Sequence, residues 1–399
     1  MKIIIEIFLF YLGVELLLYI YIKNVAKKNK WIVEKQDLSL LFDRKKFQQF
    51  ISNNYSFDLG WDKKPGYSNF DFNNKRKIFY SIEKKGFRTS KFKNLKNTIA
   101  TFGDSYTFCR QVKNADTWQE IISNKIKNFI SNYGVGNYGL DQAFLKYKKT
   151  RIRKETKIII FGFVPETICR IQSCWKYYLE FGNLHGFKPF CSLKKKKLTF
   201  EKNLLTKKIN FYNLKKIISK TEKLDRFYRL KYLKYAFQFS YVYSFFKNFS
   251  YNIYFFIDHA KYLLKKNNYK NNFEENIFSL VMNKNIKMSH LLYTEDYSKN
   301  LLKELLKKIE NNIKKNIKCY FIIFPQLFDL KLESRKYYQY FYEQLKKNYN
   351  IIDLTQSFLE EKNYKRFYTN DKYGGHLNYK GNLFAAKIIS DKLNNKVRK

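Results

Sequence analysis

Two spacings of apolar residues alternate along the chain from residue 96 onward. Short unbroken apolar runs occur at Thr98–Phe102, Lys157–Phe163, Cys319–Phe324 and Ile351–Ile352, the first ending at Gly103 and the third stopped by Pro325. Runs of that length and content predict buried strands. Between them, apolar residues recur every three or four positions. Trp118, Ile121, Ile122, Ile126, Phe129 and Ile130 follow a Thr117-x-x-Glu120 capping box, and residues 300–315 place Leu301, Leu302, Leu305, Leu306, Ile309 and Ile313 on one face. Further helices are predicted near 334–346 and over Asn378–Leu393, the latter with Ala385, Ala386, Ile388 and Ile389 inward. Strands that alternate with helices predict an α/β fold with a parallel sheet covered on both faces.

Three segments stand outside this rhythm. Ile3–Ile22 reads IIIEIFLFYLGVELLLYIYI, about the length that spans a bilayer. Glu6 and Glu15 interrupt it; Glu6 can lie at an interface, whereas Glu15 would be costly in hydrocarbon. No small-residue cleavage site follows, so a retained membrane helix within residues 1–30 is expected, with an amphipathic or buried helix as the other reading. Lys2 precedes the segment and Lys23, Lys27, Lys28 and Lys30 follow it, which would keep the main body cytoplasmic. Lysine is dense everywhere in the chain, so the side of the membrane stays open. Residues 31–95 read as a lead-in with turns at Lys64-Pro65-Gly66 and Lys85-Gly86. Residues 200–290 are rich in Tyr, Phe and Lys, most aromatic over Tyr228–Phe256, and predict an inserted helical cap or else further core helix.

Composition changes this picture little. Lys and Arg number 78 against 34 acidic residues, a formal charge of +44. An anionic partner would explain that excess. So would a coding bias, because Asn, Ile, Tyr and Phe are abundant too and the lysines are spread throughout. No nucleic-acid-binding motif accompanies the charge, and no nucleic-acid partner is expected. The five cysteines form no CxxC pair, and Cys169-x4-Cys174 is a poor metal signature. Neither a metal nor a cofactor is expected.

The candidate chemistry lies at two places. Phe102-Gly103-Asp104-Ser105-Tyr106 follows a predicted strand and opens a helix, which puts Ser105 at the carboxyl edge of the sheet, where open α/β folds bind ligands. The free N–H groups of a helix start are suited to an oxyanion. A serine nucleophile needs a base near neutral pKa, and the chain offers His185, His259, His290 and His376. His376 lies in Asp371-Lys-Tyr-Gly-Gly-His376-Leu-Asn378, between two glycines that permit a tight turn and the last helix.

These stretches resemble the SGNH (GDSL-like) hydrolase superfamily, and in particular its bacterial membrane-anchored, polysaccharide O-acetyl-modifying members. FGDSYTF resembles block I, Asn132-Tyr-Gly-Val-Gly-Asn-Tyr-Gly139-Leu-Asp-Gln142 is similar to block II, and GGHLNYKGN at 374–382 is similar to the block carrying the base. Lys85-Gly86-Phe87-Arg88 and Thr117-Trp118 add to the likeness, which covers roughly 58–170 and 316–395. It implies a flavodoxin-like three-layer α/β/α sandwich over residues 31–399, Ser105 as nucleophile and His376 as base. The oxyanion donors would be the Ser105 N–H, a block II N–H from Asn137 or Gly136, and a block III side chain. Two departures stand out. The block III asparagine is missing from Gly162-Phe163-Val164-Pro165-Glu166-Thr167, where Glu166 would bind substrate or Arg170. The acid partner of the histidine is displaced, with Asp371 five residues before it, so a dyad is also open; Asp353 is a weaker candidate, and Asp104 is expected to cap the helix.

The expected activity is ester hydrolysis or O-acyl (acetyl) transfer on acylated cell-surface or exopolysaccharide sugars. A catalytically silent carbohydrate-binding or assembly component on the same fold is the alternative, and a basic membrane or nucleic-acid adaptor a third.

Overall fold

The computed structural model of the protein describes residues 1–28, 31–73, 76–206, 211–264, 270–369 and 375–395. In chain order, the elements used below are helix α1 (Lys2–Lys28), strand β1 (Asn97–Gly103), helix α2 (Trp118–Ile126), strand β2 (Phe129–Asn132), helix α3 (Leu140–Lys149), strand β3 (Ile158–Phe163), helices α4 (Tyr241–Lys247), α5 (Phe249–Leu264) and α6 (Asp296–Glu310), strand β4 (Lys318–Ile323), helix α7 (Lys336–Leu345), strand β5 (Ile351–Asp353) and helix α8 (Tyr379–Asn395). The chain forms two compact units.

The larger unit comprises residues 52–172, 189–203 and 283–399. Its five strands are all parallel and lie in the order β5-β4-β3-β1-β2. Read from the other edge this is the 2-1-3-4-5 order of flavodoxin-like folds, whose ligands bind where the strand order reverses, at the β1/β3 switch. Side chains on both faces are buried, as parallel strands require. Ile160, Ile322 and Ile352 pack on one face with Ile122 of α2 and Ala385, Ala386 and Ile389 of α8. On the other face Phe102 and Phe161 meet Tyr147 of α3, and Phe163 meets Tyr342 of α7. The expected three-layer α/β/α sandwich is therefore present.

The elements differ from the expectation at specific places. Phe129 and Ile130 do not continue α2: Lys127 adopts φ +52, ends the helix, and starts the fully buried strand β2. The Thr117 hydroxyl accepts from Glu120 N–H at 3.3 Å, as a capping residue should. The Glu120 carboxylate does not close the box but is bound by the Ser90 side chain and the Lys91 backbone. A hairpin, Phe190–Lys194 with Lys197–Glu201, precedes the helix Leu214–Leu224.

The smaller unit joins residues 1–51, 173–188 and 204–282. Asp225 organises part of it, accepting from Ser173 Oγ (2.9 Å) and from the N–H groups of Cys174 (2.8 Å), Trp175 (2.9 Å) and Phe227 (2.8 Å). Helix α1 is long and apolar enough to cross a membrane over Lys2–Ala26. It buries one stripe, Glu15, Ile22 and Val25, flanked by the half-buried Val14, Leu18, Tyr21, Lys23 and Ala26, and leaves the rest of residues 2–24 exposed. Ile22 and Val25 pack with Ile32, Phe237, Tyr241, Phe255 and Ile277. Glu15 accepts three hydrogen bonds at the start of α4, from Ser240 Oγ (2.8 Å), Tyr241 N–H (2.5 Å) and Val242 N–H (3.0 Å).

Candidate active site

The last residue of β1 is Gly103, and a Cβ there would lie 1.9 Å from the Gly162 carbonyl oxygen and 2.3 Å from Thr107 Oγ1. Only glycine fits, and the close approach lets Thr107 Oγ1 donate to Gly162 O at 2.8 Å. The chain then turns into a single helical turn, Ser105–Phe108. Asp104 caps it, accepting Tyr106 N–H at 2.8 Å, and its other oxygen accepts Val164 N–H at 3.0 Å. Burial pushes the Asp104 carboxyl up from the usual carboxylate range, an effect that Arg170 opposes. Ser105 is thus the first helical residue, a position whose N–H has no intrahelical partner.

His376 meets this serine from the far end of the sequence, with Nε2 at 2.9 Å from Ser105 Oγ. Both are nearly buried, 6% and 8% exposed. The preceding Gly375 has φ +75, a left-handed conformation that glycine adopts without strain. The His376 carbonyl is pinned by Thr369 N–H at 2.8 Å and Thr369 Oγ1 at 3.1 Å. Tyr106 holds the loop a second way: its ring stacks on the imidazole, centroids 5.1 Å apart, and its hydroxyl donates to Gly375 O at 3.0 Å. Asp371, the expected acid partner, lies outside the described residues.

The block II turn is carried to the same edge by the ladder. Val135 N–H bonds Gly103 O at 2.9 Å, and a Cβ on Gly134 would meet Phe108 N at 2.3 Å. Tyr138 N–H closes the turn on Val135 O at 3.4 Å, with Gly136 and Asn137 at its corners. Asn137 has φ +67. Asparagine is the non-glycine residue that adopts this region most readily, so the turn keeps its shape without a glycine there. Trp61 Nε1 donates to Gly136 O at 3.0 Å, and the space where a Gly136 Cβ would stand is open.

Glu166 is fully buried, and its carboxylate accepts from Arg170 at 2.6 Å. The same guanidinium reaches the Tyr138 carbonyl at 3.2 Å and Asp104 at 3.5 Å. Arg170 therefore ties together the loops after β1, β2 and β3. A second brace, Arg88, donates to the carbonyls of Phe108 (2.5 Å), Cys109 (2.8 Å) and Val112 (2.5 Å) and to Asn114 Oδ1 (2.8 Å). A cation at the carboxyl end of the Ser105 helix supplies donors to buried carbonyls that a helix end leaves without intrahelical partners. Asn382 accepts Trp118 N–H at 3.3 Å and donates to Leu377 O and Asn378 O, joining α2 to the histidine loop. The structural roles of Tyr106, Arg88 and Asn382 are additions to the sequence reading, although each falls inside a stretch that carried the resemblance.

The other histidines serve elsewhere. His290 bridges Asp329 Oδ1 (2.8 Å) and Ser334 Oγ (2.9 Å) in the interior, while Asp329 also accepts Gln326 N–H at 2.7 Å. His185 lies among Phe42, Phe47 and Phe50, and burial lowers its pKa. His259 bonds Tyr21. Asp353 accepts Thr355 N–H at 2.9 Å at the end of β5. Among the described residues no group of three or more His, Cys, Asp or Glu side chains could hold a metal ion.

No protein-family model matches the chain, and no curated protein matches it significantly. Among solved structures it is similar to a member of the lipolytic protein G-D-S-L family from Veillonella parvula DSM 2008, at 12% identity and a TM-score of 0.32, over 74% of this chain and 97% of that one.

Proposed function

We propose that the protein is a membrane-anchored serine esterase or O-acyltransferase of the SGNH (GDSL-like) type, acting on acylated cell-surface or exopolysaccharide sugars. The observation that carries the reading is the 2.9 Å contact between Ser105 Oγ and His376 Nε2 at the carboxyl edge of a 2-1-3-4-5 sheet. Ser105 Oγ attacks the acyl carbonyl as His376 Nε2 takes its proton. The negative charge that develops on the carbonyl oxygen is met by the Ser105 N–H and an N–H from the Gly136–Asn137 turn. Collapse breaks the ester bond, His376 returns the proton to the departing sugar oxygen, and an acyl-Ser105 remains. Water or another sugar hydroxyl, deprotonated by His376, then takes the acyl group. Asp371 fits the role of orienting the imidazole. Glu166, engaged by Arg170, is better suited to bracing the loops than to replacing the block III oxyanion donor. The anchor is α1, whose length and apolar surface support a single pass.

The test is a fluorophosphonate probe on the full-length protein in detergent, which reports nucleophile activation with no substrate assumed. Labelling is expected in the wild type and absent in Ser105→Ala and His376→Ala. Folded protein that takes no label would remove Ser105 as an activated nucleophile and leave the carbohydrate-binding reading, which the missing block III donor favours. Asp371→Ala is expected to slow labelling by at least tenfold if the carboxylate orients the base, within the range that loss of such a partner produces. An unchanged rate would indicate a Ser–His dyad.

A further inference from the structure

We infer that α1 is not the smaller unit's only membrane element: α4 and the start of α5 enter the hydrocarbon beside it, with lipid as the occupant of their outer face. The inference rests on α1 being a membrane span. Residues 1–10 of α1 are exposed on all sides, and at 1.5 Å per residue they cover about 15 Å, half a hydrocarbon core. Any crossing must therefore include the part of α1 that packs on its own unit.

The contacts along that part give the depth of each partner. Lys23 pairs with Glu34 at 2.7 Å, a charged pair suited to the interface. Tyr21 stacks on Phe256 of α5, centroids 4.6 Å apart, and Tyr19 meets Tyr241 at 5.3 Å. Glu15 takes the first N–H groups of α4, and Tyr11 bonds Ser240 Oγ at 2.7 Å. Glu15 is eight residues from Lys23, so α4 begins about 12 Å below the level of that ion pair.

Two properties suit that depth. The Glu15 carboxylate, the residue hardest to reconcile with a span, has three donors at a helix start, which offsets its removal from water. Part of the turn before α4 is satisfied as well: the Gln238 N–H and C=O both bond Ser244 Oγ, and the Phe237 N–H bonds Val33 O. Facing outward are Phe239, Tyr243, Phe246, Phe249 and Tyr254, with Phe239 83% exposed, and at the α4–α5 junction Lys247 and Ser250 are exposed too, which puts that junction at the interface level rather than deeper. Such a patch continues the apolar surface of α1 and is far from an ordinary solvated face. Toward the end of α5, Asp258 and Lys261 bring the chain back to polar surroundings. The element dips and returns without crossing.

The test uses full-length protein in phosphatidylcholine–phosphatidylglycerol liposomes. Leu9→Cys, Phe239→Cys, Phe246→Cys and Tyr254→Cys are each labelled with an environment-sensitive dye, the native thiols being buried. Lipids with a mid-chain doxyl group are expected to quench the dye at least twofold at Leu9, Phe239 and Phe246, and aqueous iodide to leave it bright; Tyr254 substitutes for a variant that does not fold. Quenching at Leu9 but not at the α4 positions overturns the inference and leaves the anchor standing. That is also the result if a second copy or another protein covers this face. Absence of lipid quenching at all positions overturns both.

Discussion

Adjacent residues at the Ser105 turn carry unlike duties. Asp104 spends both carboxylate oxygens on backbone N–H groups and so fixes the turn on which Ser105 rides. The Arg170 guanidinium beside it is shared, because it also pairs with the buried Glu166. Removing one partner from a buried ion set leaves uncompensated charge, so Arg170→Met is expected to destabilise the fold by about 3–5 kcal/mol in urea unfolding. Glu166→Gln, which keeps a carbonyl acceptor for the guanidinium, is expected to lose much less and to retain probe labelling; abolished labelling in folded Glu166→Gln would assign the carboxylate to the chemistry. The cysteines make a second case. All five are buried, and burial pushes the Cys109 thiol up to about 12. Maleimide at pH 7.5 is expected to leave them unmodified in native protein and to react with all five after denaturation.

At the scale of elements, the block II turn gives the sharpest test. Asn137 occupies a left-handed position, so Asn137→Gly should change stability by less than about 1 kcal/mol, while the β-branched Asn137→Val should lose about 1–2 kcal/mol, read from urea midpoints. Strands β1, β3, β4 and β5 and helices α2, α6, α7 and α8 were legible because their apolar runs are unbroken or cleanly periodic, whereas α3 was not foreseen. Strand β2 was hidden because its four residues extend the spacing of α2, and nothing in Lys127 announces a left-handed stop. The 190–201 hairpin was silent for a similar reason: its turn places Lys195 and Lys196 at positive φ, where Asn-Gly would have signalled it. At the site, Ser105 and His376 could be read because strand ends and glycines flank them. The Glu166–Arg170 pair was one of two readings offered for that acid, but the bracing roles of Arg88 and Tyr106, and the further reach of Arg170 to Tyr138 and Asp104, could not be read, since contacts between distant loops leave no local pattern.

For the whole molecule, the sequence predicts a retained membrane helix within residues 1–30, with an amphipathic or buried helix as the other reading. The smaller unit builds part of its own core from Ile22 and Val25 of that helix and caps α4 with Glu15. Removal of residues 1–10 is therefore expected to leave the thermal unfolding of detergent-solubilised protein unchanged. Removal of residues 1–26 should expose Phe237 and Phe255 and melt the smaller unit at lower temperature, seen as an added early transition. Loss of membrane association without loss of stability in the longer deletion would contradict the packing described for α1.

The bond between Glu15 and Ser240 also spans 225 residues of sequence. At 5–20 residues per second, a ribosome delivers the capping amides roughly 10–45 s after the acid. During that interval the nascent helix must hold its place by its apolar residues alone. Its carboxylate is then an unfinished joint, closed only when the far half of the polypeptide arrives.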